Sequence, residues 1–227
     1  MLDFIFDLET FGSTSNAAVI DLSWIVFDPD PTKVETFQEL VARGKRIKFD
    51  LASQKGQRLF STSTLNWWKD QSQEARENIK PSSIDVTVME GIVAFLESLK
   101  EQGINPWESL GYCRGQSFDF PLVTDMIRQR FKYDTGCEDK DIDTFNLEPV
   151  KFWQQRDLRT AIENLLLVRG LTMTPLPKGT LDGFIAHDSI HDCAKDILML
   201  QYAKRYAMGL QDAPEGDNID PLSVKQR

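Results

Sequence analysis

The chain has 227 residues, with 26 Lys and Arg against 35 Asp and Glu, a net charge of −9, 41% hydrophobic and 27% charged residues. This is ordinary globular composition, long enough to bury a substantial core. The pI near 4.8 argues against a basic wrapper of nucleic acid, although not against an enzyme that meets phosphate through metal ions.

Residues Leu2 to Leu8 run apolar and predict a buried strand. A second apolar run, Val19 to Phe27, ends at the turn signal Asp28-Pro29-Asp30-Pro31. Joined by a loop at 12–16, the two read as a hairpin or as adjacent strands, and a third strand is expected around Thr36 to Val41. From Val41 to Phe60 there are six basic residues (Arg43, Lys45, Arg46, Lys48, Lys55, Arg58) and one acid, Asp50, hence +5. This run is the candidate for tracking phosphates, and a solvated loop explains it nearly as well. Helical pattern starts at Thr62 and carries Trp67-Trp68, which are assigned mainly to packing. A helix is predicted from Val86 to Glu101, where Val88, Ile92, Phe95, Leu96 and Leu99 share one face and Gly103 supplies the stop. A short strand at Leu110 to Cys113 leads to a helix with Phe120, Val123, Ile127 and Phe131 inward. Further helices are expected at Asp157 to Val168 and Ser189 to Met208.

This order predicts an α/β layered domain over residues 1–210, followed by an acidic tail, 211–227, expected to fray. No apolar run reaches the roughly 20 residues of a membrane span. The N-terminus has no signal-peptide features. Cys113, Cys137 and Cys193 lack CxxC spacing and read as ordinary thiols, not as a disulfide framework or zinc site. A soluble, cytoplasmic protein is expected.

Three constellations can carry chemistry. Asp7-Leu8-Glu9 places two carboxylates on one face of a strand end, where they repel unless one is protonated or a cation lies between them. Such hard oxygen pairs suit Mg²⁺ or Mn²⁺, and the same pattern fits a polar strand end with two solvated acids. In Ser117-Phe118-Asp119-Phe120-Pro121 the acid starts a helix, as a metal ligand or equally as an N-cap. In His187-Asp188-Ser189-Ile190-His191-Asp192 both histidines of the chain lie four apart beside three acids; an N-cap at Asp188 followed by a polar helix face is the plainer alternative.

Taken together, the Asp-x-Glu, Phe-Asp and His-x4-Asp motifs resemble the DEDD exonucleases. The histidine form resembles the subgroup that includes polymerase proofreading subunits. The Trp67-Trp68 pair and the stretch Pro177-Lys178-Gly179-Thr180-Leu181-Asp182-Gly183-Phe184 resemble bacteriophage members. The resemblance implies a ribonuclease H-like fold with a mixed β-sheet flanked by α-helices. It also implies 3′-5′ exonuclease activity, Asp7, Glu9, Asp119 and Asp192 as ligands of two divalent cations (Mg²⁺ or Mn²⁺), and His187 as general base. The overlapping register His191 to Asp196 is set aside because Ala186 precedes His187 and the small Cys193-Ala194 follow Asp192, as in the family. One departure is Gly115, where the family often carries Asn four before the Asp of the second motif; altered local hydrogen bonding and no loss of activity are expected.

Single-stranded DNA 3′ ends are the expected partner, with no membrane or protein partner implied. Thr10, Phe11 and Phe118 are expected to border the terminal nucleotide, with core packing as the alternative for the two aromatics. An RNA-directed enzyme of the same fold, or a non-catalytic binding module, are the rival readings.

Overall fold

The computed structural model of the chain describes residues 1–224. In chain order the strands and α-helices are β1 (Asp3–Thr10), β2 (Val19–Phe27), α1 (Phe37–Arg43), β3 (Lys45–Lys48), α2 (Thr62–Lys69), α3 (Gln73–Asn78), α4 (Val88–Glu101), β4 (Gly111–Cys113), α5 (Gln116–Thr135), β5 (Gln155–Asp157), α6 (Leu158–Leu166) and α7 (Ser189–Ala207). The strands form one mixed sheet in the order β3-β2-β1-β4-β5. β1 is antiparallel to β2 and parallel to β4, so the expected hairpin forms.

β1 occupies the centre because its alternation feeds two cores. Phe4, Phe6 and Leu8 pack with α4 and α5 on one face; Ile5 packs with α1, α6 and α7 on the other. A third, smaller cluster joins Phe11 and Ile20 to Trp68 and Ala75 from α2 and α3. The acids of β1 share the Ile5 face, so they lie on the side that α7 covers.

Two expectations need correction. The segment expected as a strand, Thr36 to Val41, is mostly helix. Thr36 Oγ1 accepts from Glu39 N (3.2 Å) while the Glu39 carboxylate accepts from Thr36 N (2.8 Å), a capping box that outweighs the short apolar alternation. The third strand follows it, pairing Lys48 with Asp21 and Lys45 with Trp24. The acidic tail, expected to fray, is docked over its described part. Asp220 N donates to Leu176 O (2.8 Å), and Lys178 N to Asn218 O (2.8 Å). Leu176 N donates to Ser223 Oγ (3.1 Å) and Leu181 N to Asp220 Oδ2 (2.9 Å). Residues 225–227 of that tail lie outside the described residues.

Asp220 is buried, and it also accepts from Leu222 N (2.9 Å). Asp220→Ala strands two backbone donors, at about 1–3 kcal/mol for a buried unpaired group. Urea unfolding of the variant is expected to show that loss. A change within about 0.5 kcal/mol would mean that the docked tail contributes nothing.

Candidate active site

The site forms where β1 meets the N-terminus of α7. Asp7 and Glu9 project from the same face of β1, and a register shift lies between Glu9 and Thr10, beyond which Thr10 still pairs with Val19. Asp192 lies in the first turn of α7 and is buried, and its Oδ2 accepts the backbone N–H of His187 (3.1 Å). Glu9, His187 and Asp192 bring one ligand atom each to within 4.8 Å of one another. Two carboxylates and an imidazole form a donor set that suits a divalent metal ion.

His187 precedes the helix with φ 62°, in the left-handed region that a non-glycine residue seldom adopts. Asp188 holds it there as N-cap, its Oδ1 accepting from Ile190 N (3.1 Å) and His191 N (3.2 Å). Asn78 Nδ2 reaches the other oxygen (2.6 Å), and the Arg46 guanidinium is ion-paired with the same carboxylate. Below it, Ser189 Oγ donates to Asp21 Oδ1 (2.8 Å) and lies 2.7 Å from Ser23 Oγ. Arg46 Nε donates to Ser23 Oγ (3.2 Å) and stands 3.6 Å from Asp21 Oδ2. Burial pushes the Asp21 carboxyl up to about 6, with Arg46 and the Ser189 hydroxyl opposing the rise.

The His187 ring meets Trp67 edge-to-face at 4.8 Å and lies 6.3 Å from Trp68. The Trp68 indole donates to Thr10 O (3.0 Å), linking α2 to the end of β1. Packing accounts for the buried Trp68, whereas Trp67 is 43% exposed beside the histidine. Adjacent positions on a helix point in different directions, so the sequence signals a difference between the two without saying which one faces the site.

Asp7 and Asp119 stand outside the Glu9–His187–Asp192 trio, beside Cys113 at the end of β4. Burial first, then the charges of Asp119, Asp157 and Asp7, push the Cys113 thiol far up. Asp119 is buried four residues into the first turns of α5, after Gly115 at φ 136°. That backbone favours glycine, and a Cβ at this position would stand 3.4 Å from Asp119 Oδ2. Asp157, which the sequence reading did not single out, accepts from Gln116 N (3.2 Å) and Thr160 N (2.9 Å), taking the capping role left open for Asp119.

A cleft of about 540 Å³ is lined by Glu9, Thr10, Ser13, Trp67, Trp68 and Phe118. Thr10 and Phe118 therefore border it, with the Thr10 hydroxyl bonded to Gly12 O (2.7 Å). Phe11 does not fit the expectation: it is 9% exposed and stacked on Phe60 at 5.9 Å, because it faces the third core cluster. The basic run is also largely used inside the molecule. Arg43 pairs with Glu35, Arg46 with Asp188, and buried Arg58 with Asp125 (2.5 Å), while Lys48 bonds to Lys80 O. The alternative His-x4-Asp register points elsewhere. His191 Nδ1 accepts from Ile185 N (3.0 Å) with its ring against Phe37, and Asp196 holds Arg114 Nε (3.0 Å).

The family model described as the 3′-5′ exoribonuclease Rv2179c-like domain matches residues 3–202. The exodeoxyribonuclease of Enterobacteria phage T4 is 62% identical over 224 residues, 99% of this chain and 98% of that protein. In structure the chain is similar to exonuclease I, with TM-score 0.53, 14% identity, and 91% of this chain matched to 41% of that one. A zinc-bound E. coli ExoI–ssDNA complex matches with TM-score 0.53 and 14% identity over 92% of this chain and 42% of that one. The chain thus spans about two-fifths of the length of these structures, and the likeness agrees with the expected ribonuclease H-like fold. Among the described residues no helix is long and apolar enough to cross a membrane.

Removing Arg46 would leave the buried Asp21 and Asp188 without their cation, at about 3–5 kcal/mol for a broken buried pair. Arg46→Ala is expected to lower the urea midpoint accordingly. Arg46→Lys should recover part of the loss, since an ammonium cannot reproduce the guanidinium fork. Unchanged stability in Arg46→Ala would show that the network does not hold the helix start.

Proposed function

The chain belongs to the Rv2179c-like 3′-5′ exoribonuclease family, and on that premise we propose that it removes 5′-mononucleotides from the 3′ ends of single-stranded DNA. The observation that carries this reading is the meeting of Glu9, His187 and Asp192 from opposite ends of the chain within one donor set. Asp7, Glu9, Asp119 and Asp192 are the proposed ligands of two divalent ions, Mg²⁺ or Mn²⁺, and His187 is the proposed general base. When bound, such ions neutralise the phosphate and ease both attack by water and departure of the 3′ oxygen.

The residues themselves supply the rest. Four carboxyl groups concentrate negative charge here, so without cations this end of the sheet repels a phosphodiester. A neutral imidazole at this position can take a proton from the attacking water. Asp192 orients the His187 backbone, and the edge of Trp67 limits the swing of its ring. Phe118 and Trp67 line the same cleft and offer faces on which an unpaired terminal base can stack whatever its identity. Thr10 borders that base at the strand end.

DNA is preferred over RNA as substrate because the phage relative, at 62% identity over nearly the whole chain, is an exodeoxyribonuclease. The family description names an exoribonuclease, which keeps an RNA substrate as the second reading, since a 2′-OH is distinguished by contacts outside the catalytic groups. A 5′-labelled DNA strand and its RNA counterpart incubated with Mg²⁺ test both. Shortening of the DNA from its 3′ end, stopped by EDTA, is expected. His187→Ala should lose about 10²–10⁴ in rate, and Asp7→Ala at least as much. Faster trimming of RNA would favour the second reading. Full metal-dependent activity in either variant would sink the assignment of roles.

A further inference from the structure

Four aromatic side chains lie together on the surface beyond the catalytic cleft. Phe152 is 65% exposed, and its ring lies 4.8 Å from Trp153. Trp107 stands 5.8 Å from Trp153 and 6.0 Å from Phe145. Lys151, buried beneath them, sets its ammonium 3.9 Å from the Phe145 ring centre and 4.5 Å from that of Trp107, bracing the cluster from inside. Exposed apolar rings in one contiguous patch mark a binding surface more often than a packing defect.

Phe152 forms one wall of a trough of about 830 Å³ that follows α5 past Arg128 and Pro121 to Gln116, Ser117 and Ser15. The trough and the cleft are lined by neighbouring residues on two chain segments. Ser117 lines the trough and Phe118 the cleft; Ser15 lines the trough and Ser13 the cleft. A strand whose 3′ end sits by Glu9 can therefore leave between the 12–16 loop and the N-terminus of α5, and it then meets Phe152.

We infer that this trough carries the upstream part of the single-stranded substrate, with Phe152 stacking on a base several nucleotides from the 3′ end. The inference rests on the exonuclease reading of the adjoining cleft and adds to it a second contact region. The chemistry of the trough selects bases rather than phosphates. Its carboxylates are engaged within the protein: Asp125 with Arg58 and Gln129 (2.8 Å), Asp157 with the two helix starts, and Glu148 with Thr144 Oγ1 (3.0 Å). Arg128 is the single cation of its lining. Stacking is sequence-tolerant because every base has a π-face, and it is the contact open to a chain of net charge −9 whose basic segment is largely committed to internal pairs.

The test is binding of a fluorescein-labelled oligodeoxythymidine of about 12 nucleotides, within the range of single-strand site sizes, with cleavage-resistant phosphorothioate linkages at its 3′ end, measured by anisotropy in Mg²⁺. Under those conditions the result does not depend on whether the chain hydrolyses DNA. Phe152→Ala is expected to weaken binding about tenfold, as loss of one stacked base does, with Phe152→Tyr close to wild type and the thermal midpoint of both unchanged. In Mg²⁺, KM for the long strand should rise in Phe152→Ala, and the rise should shrink as the strand is shortened to a dinucleotide. Equal affinity of wild type and Phe152→Ala would overturn the inference. So would a dimer in sedimentation that dissociates in Phe152→Ala while DNA affinity stays the same, because the patch would then face a second copy. Absence of hydrolysis by the wild type would instead count against the catalytic reading and leave the binding result to decide the trough.

Discussion

The position of the site depends on how the first turn of α7 is tied to the sheet. Asp188 accepts two backbone N–H groups of that helix and also binds Asn78 and Arg46, which come from α3 and β3. One carboxylate therefore holds three elements in register. From that tie follow the left-handed backbone of His187 and the direction in which Asp192 faces Glu9. The charges involved are nearly all out of water, so the loss of one partner costs more than the pair contributes when intact. The segment between β2 and α4 thus acts first as a clamp on the site.

The same burial organises the acids. On the Ile5 face of β1 the strand end carries Asp7 and Glu9, α7 adds Asp192, and α5 brings Asp119 to the end of β4. Asp119 and Asp7, together with Asp157, act on the Cys113 thiol, which burial first of all keeps protonated. Such density of negative charge is costly in a protein interior unless cations join it, and this is the physical content of the proposed metal site. It also reconciles an acidic chain with a polyanionic substrate, since attraction need only be local. The proposed stacking on Trp67, Phe118 and Phe152 would add contacts that do not depend on charge.

Much of this was legible without coordinates. β1 and β2 announce themselves as apolar runs and α4 as a long amphipathic pattern, because one face of it must be buried, whereas α7 is buried all round from Asp192 to Gln201. The three acidic motifs could be read as one site only in combination, since each alone also fits a polar strand end or a helix cap. Their separation along the chain hides the proximity of Glu9 to His187 and Asp192, which arises only when α7 packs across β1. The segment from Thr36 shows the limit of apolar pattern: a capping box at Thr36 and Glu39 was present in the sequence and outweighed it. β5 and α3, with three and six residues, are too short for any period to register.

Other features depended on distant partners. Phe11 and Phe118 are both aromatic neighbours of a candidate motif, yet one sits in the third core cluster while the other packs on the first and also lines the cleft. The charges of Arg46 and Arg58 were visible, but not that Asp188 and Asp125 would engage them. The tail reads as polar and unstructured until Asp220 finds the backbone of Leu181. The sequence by itself determined the layer architecture, the family resemblance and the candidate acids, because periodicity and residue chemistry are local properties. Only the tertiary structure decided which acids gather, which aromatics face the cleft and which cations are already taken, because each of those depends on a partner far away in the chain.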